Sequence, residues 1–256
     1  MRSKLFVSKL IYFRLKIVFL KMERKTYEYI LFDADSTLYD DEICEKTAMQ
    51  KTWAQYNIPL NEYTKSVYDK HNAVVWDRLE KGEIDYDELQ TTRLEKTFSE
   101  LNFKVDIQQF ANDYIHTFAE SCVLYPKSLP VLNELKSRGY HLNIITNGFS
   151  LIQKVRFNKE GIKGIFENIF CSQDIGVNKP KKEFFDFVFT KLNFSEDQRR
   201  KTLIVGDSLS SDIKGGLNSG IDTVWFNEKN LPENPNIQPT YIIHDIEHLL
   251  NLLPKL

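Results

Sequence analysis

From residue 29 onward the chain alternates short apolar runs with amphipathic stretches. Six runs read as strands: YILF (29–32), LNIIT (142–146), NIFC (168–171), TLIVG (202–206), DTVWF (222–226) and YII (241–243). Most are continuously apolar rather than alternating, the pattern of parallel strands buried on both faces. The segments between them carry helical periodicity. LPVLNELKSRG (129–139), for example, closes on a glycine suited to a helix C-cap. Alternation of this kind predicts an α/β fold on a doubly wound parallel sheet.

One interval breaks the rhythm. Residues 41–120 contain no convincing strand and read as amphipathic helices, as in NEYTKSVYDKHNAVVWDRLEKGEI. A crossover needs only about a dozen residues, so this stretch is expected to be an inserted all-helical domain. The core domain then comprises residues 22–40 and 121–256. The proline-rich LPENPNIQP (231–239) reads as a loop before the last strand.

Charge changes the picture at the N-terminus. Residues 1–21 hold six Lys or Arg and no acid, leaving 28 basic and 36 acidic residues in the remainder. The longest uncharged runs in that segment are four residues, too short for a bilayer span of about 20. It also lacks the continuous apolar stretch and small-residue cleavage site of a signal peptide. Met22 follows directly, so residues 1–21 are expected to lie outside the folded domain, as an extension from an upstream start. An acidic body disfavours binding to a nucleic-acid polymer, and no membrane association is expected. The five histidines show no metal-ligand spacing. Cys44, Cys122 and Cys171 are odd in number and far apart, which suits reduced thiols in the cytoplasm.

Chemistry-bearing residues fall at the C-terminal ends of candidate strands, where open α/β sheets bind ligands. Asp33-Ala34-Asp35-Ser36-Thr37 follows the first strand, and Thr146-Asn147-Gly148 follows the second. Lys179 stands in GVNKPKKEFF, where it is expected to open a helix, and GDSLSSD places Asp207 and Asp212 after TLIV. Each feature alone has a mundane reading: a turn, a helix cap, a solvated lysine, acids opposing a helix dipole. Together, in order along one sheet edge, they point to phosphoryl transfer through an aspartyl-phosphate. Two carboxylates as close as Asp33 and Asp35 repel unless positive charge lies between them. A divalent cation bridging the doublet to Asp207 is the expected source, and oxygen-only ligands favour Mg²⁺. Asp33 would attack phosphorus, while Asp35 would protonate the leaving oxygen and then activate water. Thr146, Lys179 and backbone N–H groups near Ala34 and Asp35 would clamp the phosphoryl oxygens.

At these residues the sequence resembles the haloacid dehalogenase (HAD) superfamily of phosphotransferases. Asp33, Asp35 and Thr37 match its first motif, Thr146 its second, Lys179 its third, and Asp207 with Asp212 the GDxxxxD form of its fourth. The resemblance implies a Rossmann-like core and Mg²⁺ held by Asp33, Asp207 and the backbone carbonyl of Asp35, with Asp212 in support. Ser36 departs from the family's usual Gly or Asp. The helical insertion corresponds to the family's cap of the first type. Within it, HNAVVWDRLEKGEIDYDELQTTR looks like the YjjG-like branch of bacterial pyrimidine 5′-nucleotidases. That branch implies a small phosphomonoester substrate, a pyrimidine nucleoside monophosphate, including noncanonical forms. Asn147, Asn72, Trp76 and Arg93 are the candidate substrate contacts, Trp76 stacking on a base and Asn72 and Arg93 bonding its edge. Trp76 has a second reading, packing with Val75 and Leu79 in the cap's own core.

Rival readings are weighed by the same residues. A receiver domain is about half this length and lacks Asp207 and Asp212 after the lysine. A haloalkanoate dehalogenase needs neither metal nor an acid two residues after its nucleophile. A sugar-phosphate phosphatase or mutase keeps all four motifs and stays open as an alternative, as does the oligomeric state.

Overall fold

A computed structural model describes residues 25–159 and 161–256; the expectation for residues 1–21 lies outside them. The six apolar runs form one six-stranded sheet: β1 (Tyr29–Phe32), β2 (His141–Thr146), β3 (Asn168–Cys171), β4 (Thr202–Gly206), β5 (Asp222–Phe226) and β6 (Tyr241–Ile243). All pairings are parallel, in the order β3-β2-β1-β4-β5-β6. The only departure at a strand boundary is β2, which begins one residue earlier than its apolar run because the exposed His141 pairs with Tyr29. Connections run outward from β1 in both directions. The C-terminal crevice between β1 and β4 is therefore a topological switch point, the usual ligand position in such sheets.

Period-two alternation along the strands splits the core into two layers. Ile30 and Phe32 join Ile144, Val205 and Val224 in a large cluster on one face. Leu31, Ile145 and Ile204 pack on the other face against Phe184, Phe185 and Val188 of a helix spanning Lys182–Lys191. The cysteines Cys44, Cys122 and Cys171 are free and buried.

Between β1 and β2 stand five helices; the first four form the insertion, α1 (Asp41–Gln55), α2 (Glu62–Lys81), α3 (Tyr86–Glu100) and α4 (Ile107–Ser121), and the fifth (Ser128–Ser137) leads back into β2. Each of the four begins at an Asx cap that the sequence supplies. Asp40, Asn61, Asp85 and Asp106 accept from backbone N–H groups three residues on, satisfying donors that the first turn leaves free. Gly82 ends α2 in the left-handed region at φ +75°. The helical insertion has its own core, with Trp53, Tyr68, Leu94, Phe98 and Phe110 fully or nearly fully buried. Its other face, including Val75, Leu79, Tyr86 and Leu89, merges with the large cluster of the sheet domain. The insertion is thus a helical cap, packed on the sheet domain as well as on itself. Two chain passages join them side by side: Tyr39 bridges Leu124, and the Asp40 N–H donates to the Val123 carbonyl at 3.1 Å.

Trp53 anchors the cap's private core, and among the described residues its indole N–H has no hydrogen-bond partner. Trp53→Ala should therefore cost about 3–5 kcal/mol in urea unfolding, the usual loss for a large aromatic core residue. Trp53→Phe removes an unpartnered donor with part of the ring and should cost clearly less. Equal losses for the two variants would show that the indole N–H has a partner.

Candidate active site

The site grows out of the C-terminal ends of β1, β2 and β4. Leaving β1, Asp33 still donates its N–H to the Val205 carbonyl at 2.8 Å. The chain then turns sharply, with Leu38 and Tyr39 both donating to the Ala34 carbonyl. Ser36 sits inside this turn at φ +57°, a left-handed conformation that costs a non-glycine residue about 1–2 kcal/mol. On β4, Gly206 brings Asp207 into the crevice. The following turn is wound as a π-helix (Leu209–Ile213), and Asp212 folds back beneath the strand end. A Cβ on Gly206 would lie 2.3 Å from the Asp212 carboxylate, so only glycine permits that return.

Lys179 is the centre of the arrangement. Its ammonium donates to Asp33 Oδ1 at 2.7 Å, to Asp212 Oδ1 at 2.6 Å and to the Ile145 carbonyl at 2.9 Å. The side chain is only 1% exposed, and its two acids outweigh burial, holding its pKa above the ordinary lysine value. Lys179 does not open a helix, contrary to the sequence expectation. It lies in the loop before the Lys182–Lys191 helix, where a Pro at the next position is incompatible with helical backbone at Lys179. Asn147 holds that loop: its Oδ1 accepts from the Lys179 N–H and its Nδ2 donates to the Lys179 carbonyl, each at 3.0 Å. Its amide is thereby engaged in positioning Lys179, while the residue also lines the cavity where a substrate contact was expected of it.

Asp33, Asp207 and Asp212 each offer a carboxylate oxygen, all within 4.8 Å of one another. Thr37 ties two of them together, its hydroxyl lying 3.1 Å from Asp33 Oδ2 and 3.3 Å from Asp207 Oδ1. Burial lifts Asp33 to about 7, with Asp212 and Asp35 adding to the rise and Lys179 opposing it. Burial, with Asp33 and Asp212 adding to it, holds Asp207 well above the carboxylate range. Among the described residues no cation pairs with Asp207. Three hard oxygen donors with unbalanced negative charge fit a Mg²⁺ ion.

Asp35 departs from expectation. Its carboxylate is not bridged to Asp33 by shared positive charge but turns away onto Arg156. The guanidinium grips it with two bonds, Nη1 to Oδ1 at 2.6 Å and Nη2 to Oδ2 at 3.0 Å. Arg156 is fully buried against the Tyr39 ring, 4.2 Å from its centroid, and also donates twice to Gln153 Oε1. The doublet is thus made tolerable by two protein cations, Lys179 for Asp33 and Arg156 for Asp35. A metal would serve Asp33, Asp207 and Asp212, leaving Asp35 only its backbone carbonyl to offer. Sequence reasoning missed Arg156 and Gln153. Their signal was spacing: both fall on the buried stripe of the Ser150–Arg156 helix with Ile152, where a charged residue requires a partner. Gly148 makes room for them, since a Cβ there would meet Gln153 Nε2 at 2.3 Å and Asp35 Oδ2 at 2.9 Å.

Above this floor lies a cavity of about 350 Å³ between sheet domain and cap. Thr146 lines it, its hydroxyl accepting the Gly148 N–H at 2.9 Å. Asn72, Trp76 and Arg93 line it from the cap. Trp76 lines the cavity and packs edge-on to Phe149 against the large cluster that holds Val75 and Leu79, not in the cap's private core. Arg93 Nη1 donates to Asn72 Oδ1 at 2.8 Å, and the guanidinium lies within 6 Å of the Tyr68, Tyr114 and Phe149 rings. The cap is bonded to the floor through Tyr86, whose hydroxyl reaches the Asn147 carbonyl at 2.8 Å and the Ser172 hydroxyl.

Residues 27–220 match the model of the haloacid dehalogenase-like hydrolases. The chain is 35% identical over 230 residues to the HAD-hydrolase YfnB of Bacillus subtilis, spanning 90% of this chain and 96% of that protein. The crystal structure of YfnB, solved bound to magnesium, superposes with a TM-score of 0.82 over 90% of this chain and 99% of that one. The pyrimidine 5′-nucleotidase PynA of Streptococcus pneumoniae is 32% identical over 90% of this chain and 96% of its own length. The pyrimidine 5′-nucleotidase YjjG of Escherichia coli is 31% identical, covering 90% and 99%.

The raised acid values carry a pH signature. Unfolded, Asp33 titrates near 4; folded without metal it titrates near 7. The folded state therefore holds the extra proton, so its contribution to stability is present at low pH and lost as pH rises between those values. In EDTA the melting temperature should fall across that window. At neutral pH, Mg²⁺ at about a hundredfold excess over its Kd should restore about 2.7 kcal/mol. Asp207→Asn should raise the metal-free melting temperature and abolish the magnesium response. An undiminished response in that variant would place the ion elsewhere.

Proposed function

The chain belongs to the haloacid dehalogenase-like hydrolases, and from that premise we propose a magnesium-dependent phosphomonoesterase whose substrates are pyrimidine nucleoside 5′-monophosphates. The observation that carries the chemistry is the convergence of Asp33, Lys179, Asp207 and Asp212 beneath one cavity. Asp33 is the nucleophile: it forms the bond to phosphorus as the ester bond to the nucleoside oxygen breaks. Lys179 fixes one of its oxygens, and the Thr37 hydroxyl fixes the other. Asp33 and Asp207, with the Asp35 carbonyl and with Asp212 in support, would hold magnesium, which when bound would neutralise charge on the phosphoryl oxygens. Thr146 and the backbone N–H groups of the turn after β1 contribute uncharged donors to the same oxygens.

Asp35 is the acid and base. It gives a proton to the departing nucleoside oxygen and then takes one from the water that hydrolyses the aspartyl-phosphate. To do so it leaves Arg156 and swings into the cavity that it already lines. Arg156 keeps its Nε and Nη2 bonds to Gln153 and the face of Tyr39 meanwhile, so the swing removes its counter-ion but not all of its partners.

The substrate class is supported by the two pyrimidine 5′-nucleotidases among the relatives and by the cavity wall. Trp76, Tyr114, Phe118 and Phe149 present ring surface, which suits a planar base better than a bare sugar. Trp76 offers a stacking face, and Arg93, steadied by Asn72, a donor for the base edge. Phosphate release should be seen with uridine, cytidine and thymidine 5′-monophosphates in Mg²⁺ and be abolished by EDTA. Asp33→Asn should lose nearly all turnover while keeping its fold. Activity confined to sugar phosphates would remove the nucleotide assignment and leave the chemistry in place.

A further inference from the structure

We propose that Asp41 and Glu45 make the substrate cavity a charge filter, admitting monophosphates whose alcohol is uncharged and rejecting those whose alcohol carries an anion of its own. The inference rests on the phosphomonoesterase reading of the same site. Asp41 and Glu45 lie one turn apart on α1, so both side chains share a helix face, and both line the cavity. Neither belongs to the cluster of Asp33, Asp207 and Asp212. They form a second acidic wall on the cap side, where the leaving alcohol must sit.

Cations facing the cavity are few and already engaged. Lys179 is shared by Asp33 and Asp212. Arg93 is enclosed by three aromatic rings and bound to Asn72, with Glu45 as its charged neighbour. Glu45 also has Lys65 at 3.8 Å, on the solvent side. Asp41 has as charged neighbours Asp35, Glu45 and Arg156, the last already taken by Asp35. Glu80 adds a further acid to the rim and is bonded to Ser210. The cap side of the cavity therefore holds more carboxyl groups than uncommitted cations.

Burial, first of all, raises both acids, and Asp35 adds to the effect at Asp41. A second anion on the substrate would either face these charges or force them to take up protons, and both routes cost affinity. A neutral alcohol meets no such barrier, because the same carboxylates accept hydrogen bonds from hydroxyl and N–H groups. An independent feature points the same way. Arg93 is 5% exposed and its Nε–H, among the described residues, has no acceptor. A buried donor of this kind calls for an acceptor on the ligand, and the carbonyl oxygen of a base would supply one without adding charge to the acidic wall. Hydroxyls for the acids and a carbonyl for Arg93 describe a nucleoside.

Two matched pairs test the filter: uridine against orotidine 5′-monophosphate, and glyceraldehyde 3-phosphate against 3-phosphoglycerate. Each pair differs by one carboxylate on the alcohol. In the wild type, kcat/KM should fall by on the order of tenfold or more for the charged member of a pair. The double variant Asp41→Asn/Glu45→Gln should shrink that ratio by roughly tenfold, and Glu45→Lys should shrink it further or invert it. Should the double variant not fold, Glu45→Gln alone and the wild-type ratios carry the same test. Wild-type ratios near one, a preference for the charged members through Arg93, or unchanged ratios in folded variants would each overturn the filter. Selection of the aldehyde over the acid without hydrolysis of any nucleotide would overturn the nucleotidase reading and leave the filter standing.

Discussion

One buried ammonium governs the geometry of the site. Lys179 is almost inaccessible and donates its three N–H bonds to Asp33, Asp212 and the Ile145 carbonyl. A buried cation is tolerable only when paired and fully hydrogen-bonded, and here each partner comes from a different part of the sheet edge. Satisfying Lys179 thus forces the ends of β1, β2 and β4 to converge. Asn147 clamps the Lys179 backbone from both sides, and Gly206 makes room for Asp212 to fold back. The local rules broken nearby, the left-handed Ser36 and the π-wound turn at Leu209–Ile213, stand where the chain must aim carboxylates rather than continue regular structure.

The two aspartates after β1 are given separate partners, and their roles separate with them. Asp33 is locked between Lys179 and Thr37, which suits a nucleophile that must not move. Asp35 is held by Arg156 at the margin of the same cavity, which suits a group that has to carry a proton to and from it. Arg156 has a second set of partners in Gln153 and Tyr39. These neutral partners keep part of its hydrogen bonding when the resting pair breaks.

The helical cap divides its surfaces between stability and recognition. Trp53, Phe98 and Phe110 form a core that owes nothing to the sheet. Val75, Leu79 and Tyr86 tie it to the sheet domain, and Tyr86 does so within hydrogen-bond reach of the loops that carry Asn147 and Ser172. What remains, Asp41, Glu45, Asn72, Trp76 and Arg93, faces the cavity. In the proposed function chemistry belongs to the sheet edge and selection to the cap, so either can change without rebuilding the other.

The fold was legible along the chain because burial on both faces writes continuous apolar runs, and five of the six strands begin and end where those runs do. The insertion was legible as helical from its periodicity alone; the Asx caps of its four helices and the glycine ending α2 emerge with the structure. The motif acids and Lys179 were legible as types in order. How their charges are shared was not. The sequence alone suggested one metal spanning the Asp33–Asp35 doublet, whereas tertiary structure sends Asp35 to Arg156, 121 positions away, and turns Asn147 toward the Lys179 loop. Periodicity is a property of neighbours and survives in one dimension. The pairing of buried charges depends on which distant side chains arrive at the same place, and only the folded chain decides that.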